Sequence, residues 1–133
     1  MSRTELSINE STSHVLTATL KKLDATNTLV PLPAAEIDSI EMTLINELGG
    51  AIINSRQKQD VLNTNDCEMH ATSGLFTWDV QVEDTEIVGD TPVGSREKHL
   101  ATITVTWDTT KQMHFEILLL VKNLRSVPQE AVP

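Results

Sequence analysis

The side chains able to ligate metal are few and scattered. Cys67 and His70 are spaced as two zinc ligands would be, with His14, His99 and His114 available to complete a set in space. A structural zinc site normally shows two paired clusters of Cys and His, and no such pattern is present here. Glu83, Asp84, Glu86 and Asp90 offer oxygens to a hard cation such as calcium. They lack the alternating carboxylates and terminal Glu of an EF-hand loop, so a solvated acidic loop is expected. Ser, His and Asp occur without a Gly-x-Ser-x-Gly elbow, and no carboxylate is set by its neighbours in an apolar pocket that would raise its pKa. Gly49-Gly50 runs into Ala51-Ile52 rather than into Lys and Ser/Thr, which makes it a turn and not a phosphate cradle. No catalytic residue, metal site or cofactor is expected.

The elements that would have to position any site are strands. From Lys98 to Lys122 two alternating segments flank Asp108-Thr109-Thr110-Lys111-Gln112 and predict a β-hairpin. Placing Trp107 opposite Met113 sets Val105 against Phe115, Ile103 against Ile117, Ala101 against Leu119 and His99 against Val121, one apolar face. The other face then pairs Thr106 with His114, Thr104 with Glu116 and Thr102 with Leu118, and ends in Leu100 against Leu120. Upstream, the alternation of Leu16, Ala18 and Leu20 predicts a strand over His14 to Leu23, and Phe76, Trp78 and Val80 predict another. Ile40, Met42 and Leu44 open a further strand, which with the Gly49-Gly50 turn and Ala51 to Asn54 predicts a second hairpin. Arg56 to Asn65 reads as one helical turn at most, and Cys67 and Met69 as a short strand before the turn Ala71-Thr72-Ser73-Gly74. Val82 to Lys98 is a connection longer than most in compact domains.

Strands of modest length between Gly, Pro, Asn and Asp turns predict an all-β fold, an immunoglobulin-like antiparallel β-sandwich, with a partly closed barrel as the alternative. The expected organisation is an N-terminal arm over residues 1–12, one sandwich domain over 13–124 and an extended tail over 125–133. A single domain of 133 residues buries roughly two-thirds of the surface its unfolded chain exposes. One cysteine excludes an intrachain disulfide framework. Two Trp, two Phe and no Tyr argue against recognition of bases or sugars by stacking. The formal net charge of −9 repels nucleic acid and anionic membranes, so neither is expected as a direct partner. Met1 to Glu10 has neither the basic start nor the apolar stretch of a secretion signal, which predicts synthesis in the cytoplasm and leaves the acceptor tripeptide Asn9-Glu10-Ser11 without meaning.

What is left over is apolar surface. Leu118, Leu119 and Leu120 are consecutive, so Leu118 and Leu120 point away from the core that Leu119 faces. Either the chain covers this corner with its own loops or N-terminal arm, or Leu100, Leu118 and Leu120 meet a partner. In the second case Glu83, Asp84, Glu86 and Asp90 and the two termini would lend specificity toward neighbouring subunits.

The strand Leu16-Thr17-Ala18-Thr19-Leu20, the turn Ala71-Thr72-Ser73-Gly74-Leu75, the strand His99 to Trp107 and the ending His114 through Val121-Lys122-Asn123-Leu124 together resemble small structural proteins of tailed bacteriophages. The nearest likeness is to the immunoglobulin-like N-terminal domain of phage baseplate upper proteins, over about residues 14 to 128. The resemblance implies a non-enzymatic virion protein made in the host cytoplasm, present in many copies or as a homo-oligomer. Its partners would be capsid, connector or tail proteins. A head decoration or cement, or a head-to-tail junction component, is the expected place. A tail or baseplate component and a surface carbohydrate-binding module are the alternatives, the last requiring Trp78 or Trp107 at the surface.

Overall fold

A computed structural model describes residues 2–124, and the predicted tail at 125–133 lies outside the described residues. In chain order the strands are β1 Ser2–Asn9, β2 His14–Thr19, β3 Lys21–Leu23, β4 Leu29–Pro31, β5 Ile37–Asn46, β6 Gln59–Asp60, β7 Cys67–Met69, β8 Leu75–Val80, β9 Arg96–Trp107 and β10 Lys111–Lys122. They form a five-stranded sheet in the order β1-β10-β9-β5-β6, a three-stranded sheet β2-β8-β7 and a small β3-β4 ladder. The fold is all-β, as the alternation predicts. Among the described residues no helix is long and apolar enough to cross a membrane.

Each larger sheet turns one face inward. Met42, Leu44, Ala101, Ile103, Val105, Ile117, Leu119 and Val121 from the first meet Phe76, Trp78, Val80, Cys67 and Met69 from the second in one buried cluster. Phe76 on β8 meets Phe115 on β10 edge to face, with ring centroids 6.0 Å apart and planes at 77°, the arrangement that aromatic quadrupoles favour.

The β9–β10 hairpin forms, with a register two residues from the expected one. Trp107 pairs with Lys111, Val105 with Met113, Ile103 with Phe115, Ala101 with Ile117 and His99 with Leu119. Asp108 and Thr109 both take left-handed backbone (φ 52° and 65°), so Asp108–Thr110 suffices as the loop, and the Thr109 amide donates to Asp38 Oδ2 at 2.7 Å. A shift of two leaves every side chain on its predicted face, because strand faces alternate with a period of two. Leu100 consequently pairs with Leu118, and Leu120 pairs with Lys98.

Other expectations are corrected. The N-terminal segment is a strand of the sheet rather than an arm outside it: β1 runs parallel to β10 from Ser2 opposite Phe115 to Asn9 opposite Lys122. Leu6 and Ile8 pack against the core, too few apolar positions to stand out in a Ser- and Glu-rich stretch. The predicted hairpin from Met42 to Asn54 shrinks to a single bridge, Ile45 to Ile52, because left-handed Asn54 and Ser55 bulge the chain out before the Arg56 carbonyl accepts the Leu44 amide at 2.8 Å. The strand expected over His14 to Leu23 breaks at Leu20, which is buried and donates its amide to the Gly74 carbonyl at 2.7 Å.

Ile103 sits fully buried on the central strand between Met42 and Phe115. Ile103→Ala should therefore cost about 2–5 kcal/mol, the range for a large-to-small change in a packed core, read as a shift in the urea midpoint with an unchanged slope.

Candidate functional site

The outer face of the five-stranded sheet is where apolar residues depart from the polar pattern. Thr102, Thr104 and Thr106 of β9 point out, as do Glu116 and His114 of β10 and Glu41 and Thr43 of β5. One row differs: Leu118, Leu100 and Ile45 lie side by side across β10, β9 and β5, with Ile52 bridged to Ile45 beyond them. Leu120 stands one row further along β10. Leu118 is only 3% exposed and is not part of the core cluster, so it is enclosed by its neighbours and has little surface to give a partner. Leu100, Leu120 and Ile45 are half-buried and Ile52 is 39% exposed. Ile45 was not anticipated from sequence. Its signal is the break after outward-facing Glu41 and Thr43, which becomes visible only once β5 is known to continue to Asn46.

The acidic connection is ordered, and one of its carboxylates is not at the surface. Asp84 is fully buried at the end of a 3-10 turn, Val82–Thr85, so it cannot be a contact to another subunit. Its carboxylate accepts from Arg56 Nε at 2.7 Å and Nη2 at 3.0 Å, from Asn54 Nδ2 at 2.9 Å and from the Gln81 amide at 2.8 Å. A buried charge pair survives only when such bonds occupy its remaining lone pairs and protons. Arg56, 1% exposed, also donates to Gln59, to the Asn65 carbonyl and to Asp66. Burial opposes its charge, but the bonds to Asp84 and Asp66 outweigh it and raise its pKa. The guanidinium lies 5.8 Å from the centre of the Trp78 ring, within cation–π range. Glu83, Glu86 and Asp90 are exposed.

A second buried pair holds the rest of the connection. Glu97, at the start of β9, accepts from the amides of Val88 and Gly89, from Thr91 Oγ1 and from His99 Nε2 at 2.6 Å. Burial alone would raise the Glu97 pKa, but the bonds from Val88, His99, Thr91 and Gly89 prevail and lower it. His99 Nδ1 lies 2.9 Å from the Asp84 carbonyl oxygen, so both ring nitrogens face oxygens. At Gly89 a Cβ would stand 2.8 Å from Asn46 Nδ2 and 2.9 Å from Glu97 Oε2, so a larger residue there would displace these two side-chain ends. Arg56 and Glu97 escaped prediction because a lone Arg in a turn-rich segment and a Glu at a strand start carry no local sign of burial, whereas His99 lies on the inward face that the alternation predicts.

The candidate metal ligands are not brought together. Cys67 is in the core, where burial pushes its thiol up to about 12, and His99 is committed to Glu97. His70 caps its own turn by accepting from the Thr72 and Ser73 amides, and His114 bonds Thr104 on the outer face. Trp78 is fully buried, whereas Trp107 is half-buried in a groove of about 600 Å³ with Lys22, Asp24, Asp38 and Lys111. No protein-family model matches the chain, and no curated protein matches it.

Removing one partner of a buried ion pair strands the other's charge. Asp84→Ala should destabilise the fold by about 3–5 kcal/mol and speed hydrogen exchange across residues 54–66 and 81–85. Glu97, with its pKa lowered in the fold, contributes stability above the ordinary glutamate value of 4.5, and that stability is lost as pH falls below it. Unfolding measured from pH 7 to pH 3 should thus show a steeper acid loss for the wild type than for Glu97→Gln.

Proposed function

We propose that this protein is a non-enzymatic structural subunit of a tailed-bacteriophage particle. In this reading it is a head decoration or cement, or a head-to-tail junction component, and the outer face of its five-stranded sheet binds neighbouring subunits. The carrying observation is the half-buried Leu100, Ile45 and Leu120, flanking the enclosed Leu118, on a face that is otherwise polar. Apolar surface of this kind on a rigid sheet favours a protein contact. The resemblance to phage structural proteins supplies the particle, and repetition of a weak contact over many copies supplies the avidity.

The reading includes an immunoglobulin-like sandwich. The order β2-β8-β7 opposite β10-β9-β5 corresponds to strands B, E and D opposite G, F and C of that fold. The first strand departs from the constant-type order by joining the β10 edge instead of lying beside β2.

A surface carbohydrate-binding module is the second reading, favoured by the groove at Trp107. It ranks second because the groove's carboxylates are engaged within the chain: Asp38 by the Thr109 amide, Asp24 by Thr26 and Thr28, and Glu36 by Lys22.

Two measurements test the first reading. Mass spectrometry of separated heads and tails should find the chain in one fraction; its absence from both would end the proposal. Leu100→Ser with Leu120→Ser should cost no more than about 1 kcal/mol of folding stability. The same variant should lower incorporation about tenfold, equivalent to a contact loss of about 1.4 kcal/mol.

A further inference from the structure

Next to the apolar row the outer face carries a group of cations that the fold itself does not use. Arg96 and Lys122 are direct cross-strand partners on β9 and β10, and Lys98 is two residues along β9 from Arg96, opposite Leu120. All three lie on the outward face, since Glu97, His99 and Val121 between and beside them are buried. Like charges directly opposite one another in a sheet are destabilising. None of the three makes an ion pair among the described residues, where the surface pairs are Arg3–Glu116, Lys22–Glu36 and Lys111–Asp108 and the buried ones belong to Arg56 and His99. Glu47 and Asp90 line the adjoining cleft with Arg96 and Lys98 but do not come within ion-pair distance of them.

We infer that this patch is one half of a head-to-tail contact between copies of this chain. The inference rests on the sheet face assigned above as the binding surface. Charge selects the partner: the full chain has 19 acidic residues against 10 basic, so a second copy presents a mostly anionic exterior to three unpaired cations. Charge also excludes one geometry: a two-fold axis through the patch would bring six cations together, so the patch of one copy is set instead on a carboxylate-bearing surface of the next. Heterologous contacts continue into rings or open chains instead of stopping at a dimer. The half-buried Leu100 and Leu120 beside the cations add an apolar anchor to that contact.

The test mixes isotopically labelled and unlabelled full-length protein at millimolar concentration with a zero-length carbodiimide, which joins lysine amines to carboxylates already in contact. Mass spectrometry then separates links between copies from links within one. The expected result is that Lys98 and Lys122 give severalfold more inter-copy links than the exposed Lys21, Lys58 and Lys111. Sedimentation should show mass growing past the dimer and falling with added salt. Lys98→Glu with Lys122→Glu, verified as folded by circular dichroism, should abolish both signals. Absence of inter-copy links, an even spread over all lysines, or association that closes at a dimer would overturn the inference. A monomer here from a chain that still fractionates with particles sinks the self-contact alone. Self-association by a chain absent from particles sinks the particle reading alone.

Discussion

The buried pair of Arg56 and Asp84 ties together the parts of the chain that have least regular structure. Arg56 lies in the loop-rich stretch after β5, and Asp84 in the connection between β8 and β9. Each is almost completely excluded from solvent, so each charge needs the other. Asn54, Gln59, Asp66 and the Gln81 amide take up the remaining bonds, and Trp78 provides a π face below. From this point the order passes outward. The Asp84 carbonyl faces His99, His99 bonds Glu97, and Glu97 holds Val88, Gly89 and Thr91. A connection that would otherwise be a free acidic loop is thereby fixed against the end of the larger sheet.

That fixing determines what surface the protein can show. Thr85 reaches back to the segment after β1, where its carbonyl accepts the Ser11 amide and its hydroxyl bonds Thr12. Asn123, just beyond β10, bonds Ser95, Gly94 and Thr91. The exit of β1, the exit of β10 and the long connection are thus one hydrogen-bonded unit. The outer face of the sheet, with Leu100, Leu120 and Ile45, is presented on rigid strands, while Glu83 and Glu86 project from a clamped turn. A surface built this way would lose little conformational entropy on meeting a partner.

The alternation of residues was a sound guide to strand existence and facing, as Phe76, Trp78 and Val80 show, and as the hairpin shows even with its register displaced by two. Register itself depended on Asp108 and Thr109 both adopting left-handed backbone, which a β-branched Thr does not announce. For the candidate site, the three consecutive leucines were legible as a fault in the pattern. That Leu118 is enclosed while Leu100 remains partly open was not, because exposure depends on which side chains flank each position across strands.

Read alone, the amino-acid sequence determined an all-β chain with one apolar face per strand, because side-chain facing is a local property with a period of two. It also determined the acidic balance and the surplus leucines. Tertiary structure alone decided that Ser2–Asn9 completes the sheet edge, and that Asp84 is an internal anchor while Glu83 and Glu86 stay outside. It alone set Arg96, Lys98 and Lys122 together beside Leu120. Those outcomes follow from pairings between residues far apart in the chain, and no local pattern encodes the partner that a buried charge or an edge strand will find.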